Sequence, residues 1–182
     1  MALTATIYNF DIQLANVDRQ VYETLSLRVA QHPSETPEYL LTRVLAYCLE
    51  YTEGITFSKG LSDPDEPPIV VRDLTGTIKS WIEIGAPDSA RLHKASKMSP
   101  RVAVYIHKDP MMLLRAWSAA TIHRAEKLEL YAMDRELLDE LVRLLDRRVK
   151  FDLSVTDGEL YIDIGGKSLS GSVGKLSLSA LP

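Results

Sequence analysis

The strongest constraint on the fold lies in one stretch. There Val149, Phe151, Leu153 and Val155 alternate with polar residues, Asp157-Gly158 follows, and Leu160, Ile162 and Ile164 alternate again. Neighbouring side chains on a strand point to opposite faces, so each run lays one apolar edge on a core, and Asp-Gly tolerates the positive φ that a tight hairpin turn needs. The segment predicts a hairpin with one dry face. Gly165-Gly166 and the serine-rich run to Ser179 predict a third short pair, joining a strand near the start of the chain. In that strand Tyr8, Phe10, Ile12 and Leu14 alternate with Asn9, Asp11 and Gln13, the pattern of a long, edge-forming strand that ends in a turn over Asn16 to Asp18.

Between these β-rich ends the period changes. The apolar residues Val21, Leu25, Leu27 and Val29 read as a helix over Gln20 to Ala30. Thr36-Pro37 then supplies a cap and a first-turn proline, and Leu40, Leu41, Val44, Leu45, Cys48 and Leu49 form one stripe of a helix that runs to about Thr52 and is ended by Gly54. Ile55 to Ser58 is a short strand, Gly60 to Pro68 a turn-rich run, Ile69-Val70-Val71 a strand, Asp73 to Gly76 a turn, and Thr77 to Gly85 an antiparallel return. Further on, a helix from Asp88 to about Lys97 and a strand over Val102 to His107 precede a helix from Pro110 to about Arg124. A strand over Lys127 to Met133 comes next. Asp134 caps a last helix, striped by Leu137, Leu138, Leu141, Val142, Leu144 and Leu145. Such alternation defines an α/β (α+β) fold: a mixed central sheet flanked by helices, with a β-rich C-terminal part, in a single domain over residues 1–182.

A hydrophobic share of 46% with 25% charged residues suits a packed core in a chain of 182 residues. With 21 Lys and Arg against 25 Asp and Glu the net charge is −4, so no global positive field draws nucleic acid, and any such contact must come from a local patch. The single Cys48 cannot form an internal disulfide, and no charged segment followed by an apolar run opens the chain. A reducing cytoplasm and no membrane partner are the expectation. His32, His93, His107 and His123 show no metal-ligand spacing, Cys48 falls in an apolar stripe, and no phosphate-binding glycine loop or nucleophile elbow is present.

Chemistry concentrates between Asp65 and Lys94. On the return strand Ile78, Ser80, Ile82 and Ile84 share one face, and Lys79, Trp81, Glu83 and Gly85 the other. With the turn centred near Leu74 and Thr75, Glu83 lies opposite roughly Pro67, which brings Asp65 or Glu66 beside it. On the next helix Arg91, Lys94 and Lys97 follow at three-residue steps and project from roughly one side. Paired carboxylates hold a hard cation such as Mg²⁺, and a nearby lysine or arginine meets a phosphate oxygen. The same acids also read as a solvated rim. Glu35 or Glu38 could add a carboxylate or simply stabilise a helix N-terminus, and Trp81 could stack on a base or pack in the sheet.

His32-Pro33-Ser34-Glu35-Thr36, Asp65-Glu66-Pro67, Trp81-Ile82-Glu83-Ile84-Gly85 and Pro87-Asp88 with Arg91 and Lys94 together resemble the bacterial YaeQ family. The likeness extends to the opening Met1-Ala2-Leu3-Thr4-Ala5-Thr6-Ile7-Tyr8 and to the length. It implies a compact PD-(D/E)xK nuclease-like, restriction-endonuclease-like fold. It further implies Mg²⁺-dependent hydrolysis of DNA or RNA, with Asp65, Glu66 and Glu83 as metal ligands and Glu83, Lys94 and Arg91 as catalytic residues. The motif's lysine belongs at position 85, where this chain has Gly85. Lys94 on the following helix matches a relocated lysine, and Lys79 is the other candidate. The alternative expectation is a catalytically inactive nucleic-acid-binding or protein-interaction domain on the same scaffold.

Overall fold

The computed structural model describes residues 4–58 and 65–180. In chain order its elements are β1 (Thr6–Asn16), β2 (Val21–Gln31), α1 (Pro37–Leu49), β3 (Ile55–Phe57), β4 (Ile69–Arg72), β5 (Ile78–Ile84) and α2 (Ser89–Met98). They continue with β6 (Val102–Ile106), α3 (Pro110–Ala119), β7 (Glu129–Met133), α4 (Arg135–Leu144), β8 (Arg148–Thr156), β9 (Glu159–Ile164) and β10 (Lys167–Leu176), with 3-10 turns at Ala125–Lys127 and Leu178–Ala180. The mixed α+β class is as expected. The chain divides into two compact units, one of residues 1–41 with 134–173, the other of residues 42–133 with 174–182.

In the first unit the strands follow the order β2-β1-β8-β9-β10. Residues 21–31, expected as a helix, are instead β2, paired antiparallel with β1 residue for residue from Thr6↔Gln31 to Asn16↔Val21. The reason is that Leu25 and Val29, its two buried side chains, are four apart, a spacing that fits both a helical and a strand period. The neighbouring eleven-residue β1 decided between them. Placement of β1 differs too: it lies between β2 and a parallel β8, so β2 rather than β1 is the outer strand. The serine-rich β10 pairs antiparallel with β9 and not with β1.

The Asp157-Gly158 hairpin forms as expected, with both residues at positive φ. Its two exposed amides donate to the Asp18 carboxylate at 2.7 and 3.0 Å, so the β1–β2 turn clamps the β8–β9 turn. Asp134 caps α4 by accepting from the Leu137 amide at 3.1 Å, and Leu137, Leu138 and Leu141 bury the stripe. Gly171 permits this seat: a Cβ there would stand 2.8 Å from the Leu137 Cβ and 2.9 Å from the Asp134 Cβ.

In the second unit the order is β7-β6-β5-β4-β3, with β3, β4 and β5 antiparallel and β5, β6 and β7 parallel. Parallel neighbours need crossovers, and α2 and α3 supply them. Trp81, Leu92, Ala95, Val104, Ile106, Leu114, Trp117 and Leu130 form the core beneath those helices. The β4–β5 turn is built by Asp73, whose carboxylate accepts from the Thr75 hydroxyl and from the amides of Thr75 and Thr77. Those bonds, the Thr75 hydroxyl first, lower its pKa to about 2. α3 stops at Ala119, short of the expected Arg124, because the chain turns to put Ile122 into the core, and Arg124 adopts a left-handed conformation. Among the described residues no helix is long and apolar enough to cross a membrane.

Candidate functional site

β5 and α2 meet at a tight corner. Asp88, the α2 N-cap, accepts from the Arg91 amide at 2.8 Å, which starts the helix and places Arg91 one turn in, facing the end of β5. There Glu83 is only 3% exposed, and its Oε1 accepts from Trp81 Nε1 at 2.7 Å and from Arg91 Nε at 2.6 Å. Strand alternation explains the first bond, since Trp81 and Glu83 share one face of β5. The Arg91 guanidinium lies 5.8 Å from the Trp81 ring centroid and donates through its second nitrogen to the Glu66 carbonyl at 2.8 Å. One turn on, Lys94 pairs with the Asp65 carboxylate, and both are well exposed. Burial pushes the Glu83 pKa up, against the pull of the Arg91 charge and of the bonds from Trp81 and Arg91.

The structure therefore brings together all five residues expected at the site. It does so through ion pairs and a main-chain carbonyl. Among the described residues no group of three or more His, Cys, Asp or Glu side chains is placed to hold a metal ion. Glu83 takes both of these donors on one oxygen, Oε1, so a cation at that oxygen would compete with Trp81 and Arg91. At position 85, where the resemblance led to the expectation of a lysine, Gly85 has φ +86°, a backbone state in which a side chain is strained by about 1–2 kcal/mol. Its amide donates to the Tyr105 carbonyl at 2.8 Å, holding β5 on β6 at that point.

The other candidate residues take the following places. Lys79 pairs with Asp73 at 3.5 Å at the far end of β5 and does not join Glu83. Trp81 has no exposed surface and packs in the core, so it offers no face to a base. Cys48 is fully buried, and burial pushes its thiol up to about 12, which leaves no thiolate for chemistry. Glu35 and Glu38 belong to the first unit, with Glu35 buried.

A second charged cluster gave no sequence signal. Arg101, just before β6, holds Glu50 with two nitrogens, at 2.7 and 3.1 Å, and also pairs with Glu129. Tyr105 donates to Glu50 at 2.6 Å and Tyr131 to Glu129 at 3.2 Å. Burial and the Glu50 charge push the Tyr105 pKa well above the ordinary range. Burial would lower that of Arg101, yet the bonds and charges of Glu50 and Glu129 raise it overall. The two histidines His93 and His123, distant in sequence, also meet, with the His123 amide donating to His93 Nδ1 at 3.0 Å.

A mixed α+β chain with a buried glutamate answered by a helix arginine at a strand end is the class of protein that fold and site define. The YaeQ family model, described as YaeQ protein, matches residues 1–173, and the chain belongs to that family. The proteins named "Uncharacterized protein YaeQ" of Escherichia coli (strain K12) and Salmonella typhi are 31% and 32% identical to it, each match covering 89% of this chain and 90% of theirs. The crystal structure of the YaeQ protein from Xanthomonas axonopodis pv. citri superposes with a TM-score of 0.86 at 32% identity, covering 96% of this chain and 99% of that one. The YaeQ protein from Pseudomonas syringae gives the same TM-score at 28% identity, covering 95% and 96%.

Proposed function

We propose that the protein engages nucleic-acid phosphodiesters, DNA or RNA, through Arg91 and Lys94 beside Glu83. The observation that supports this most is the Lys94–Asp65 pair, which is exposed on both sides. Such a pair contributes about 0–1 kcal/mol, so a phosphate that presents charged oxygens to the same ammonium displaces the carboxylate at little cost. Arg91 is the anchored partner. Its bond to buried Glu83 holds the guanidinium at the mouth of β5 while the Glu66 carbonyl occupies a second donor.

Lys94→Glu tests the reading, because Lys94 is exposed and its loss leaves the core intact. Fluorescence anisotropy with labelled single- and double-stranded DNA and RNA at low salt should show an affinity that falls as salt rises. The substitution should weaken it for every sequence and reduce the salt slope by about one. Absence of salt-dependent binding to all of these ligands would sink the proposal.

A second reading, Mg²⁺-dependent hydrolysis of the bound phosphodiester on a PD-(D/E)xK-like scaffold, draws on the local charge balance. Asp65, Glu66, Glu83 and Asp88 outnumber Arg91 and Lys94 by two. A divalent ion would offset that surplus, but the described carboxylates would first have to regroup. Cleavage of the same substrates by wild type in Mg²⁺, lost in Glu83→Gln, would favour it over binding alone.

A further inference from the structure

At the opposite end of β5 from Glu83, a cavity of about 300 Å³ opens between Thr77 to Lys79, the last turn of α2 and the turn that follows α3. Lys79, Lys97, His123 and Arg124 all line it, and none of the described residues that line it is acidic. In a chain with net charge −4 that concentration of bases needs a cause. Lys97 alone would be explained by the negative end of the α2 dipole. Lys79 comes from a strand, and His123 and Arg124 from a turn, so that dipole accounts for none of them.

The turn is held firmly. The Ser96 hydroxyl donates to the His123 carbonyl, and the His123 amide donates to His93, so α2 fixes the wall from which Arg124 extends. Arg124 itself sits at φ +50°, ψ +41°, a conformation that costs free energy in any residue with a side chain. The strain is local to the residue that brings a guanidinium to the rim. Among the described residues Lys79 pairs with the half-buried Asp73 at 3.5 Å, a pair with an exposed lysine that is given up at little cost. Ile78, Met98 and Pro100 add apolar wall, and the volume is at the lower end of the range for small-molecule pockets, about 300–1,000 Å³.

We propose that this cavity binds a small molecule carrying a phosphate monoester, of mononucleotide size, with Lys97 and Arg124 on the phosphate and the apolar wall against the remainder. The site is separate from the one beside Glu83. Lys79 and Glu83 are four steps apart along β5, about 13 Å at the usual rise.

Calorimetric titration of the full chain at low salt with adenosine 5′-monophosphate, beside adenosine and inorganic phosphate, tests it. The monophosphate should bind at least tenfold more tightly than adenosine, and the double variant Lys97→Glu with Arg124→Glu should weaken it at least tenfold. Arg124→Gly should keep or raise the thermal midpoint, since glycine accepts the left-handed turn, while losing affinity. Lys94→Glu should leave monophosphate binding unchanged. Equal affinities for adenosine and its monophosphate, no binding of the monophosphate at millimolar concentration, or effects of the double variant within twofold would each overturn the proposal. An equal loss in Lys94→Glu would also overturn it, by placing the phosphate at the Glu83 site.

Discussion

Arg101 and Arg91 each reach a glutamate that is at most 8% exposed, Glu50 and Glu83, yet the two guanidinium groups are completed differently. Arg101 is gripped by two carboxylates, one of them in a two-point fork, and each carboxylate takes a further tyrosine hydroxyl. Arg91 counts the Glu83 carboxylate and the carbonyl of Glu66 among its partners, with the Trp81 indole taking the other approach to the same carboxylate oxygen. The first cluster closes on itself as a bracket between the end of α1, the start of β6 and β7. The second leaves its neighbouring cation, Lys94, paired with an exposed acid. An arginine on a buried glutamate is thus no indicator of a binding site; what surrounds the pair decides.

The most direct way to break this contrast is Arg101→Met. Glu50 would keep a buried charge with a single tyrosine donor, and a buried pair broken from one side loses about 3–5 kcal/mol. The partial exposure of Arg101 and Glu129 argues for the lower figure, about 3 kcal/mol. Urea unfolding should show the midpoint fall with the slope unchanged. A loss under about 1 kcal/mol would mean that the Glu50 cluster does not bracket these elements.

The next effect concerns Glu83 and is a dependence on pH. Its folded pKa lies above the ordinary value of 4.5, so the native state holds a proton that the unfolded chain releases. The associated stability is fully present below 4.5 and is lost as pH rises through the raised value, each unit of separation being worth about 1.4 kcal/mol. Glu83→Gln carries no such proton. Its stability relative to wild type should therefore improve from pH 4 to pH 7, and parallel curves for the two proteins over that interval would show that Arg91 already neutralises the carboxylate.

Much of this arrangement was legible in the chain because it is local. Alternation placed Trp81 and Glu83 on one face, the Asp88 cap set the phase of Arg91 and Lys94, and Asp157-Gly158 announced its hairpin. Where a pattern fits two periods, as Leu25 and Val29 do in β2, only the pairing with β1 resolves it. Glu50, Arg101 and Glu129 are separated by 51 and 28 positions, and their meeting depends on the parallel stacking of β5, β6 and β7, which no local signal encodes. The same holds for His93 with His123, and for the basic cavity that His123 borders. Gly85 is a middle case: its identity was plain, but that its backbone takes a positive φ, which disfavours a side chain there, required the structure.

Tyr105→Phe gives the smallest and most selective test of the comparison. It removes one hydroxyl from Glu50 while leaving the fork from Arg101, and a buried acceptor that loses one of several donors costs about 1 kcal/mol. Because burial and the Glu50 charge hold the Tyr105 pKa well above 10.0, the phenol stays protonated in both folded and unfolded chains through neutral pH. Its contribution should then be constant from pH 6 to pH 9 and decline only above 10.0, as the unfolded chain begins to ionise. Combining it with Arg101→Met in a double-mutant cycle shows whether the bracket acts as a unit. Coupling of at least about 0.5 kcal/mol is expected for groups on one carboxylate, whereas strict additivity would mean that Arg101 and Tyr105 hold Glu50 independently and that the cluster does not act as a unit.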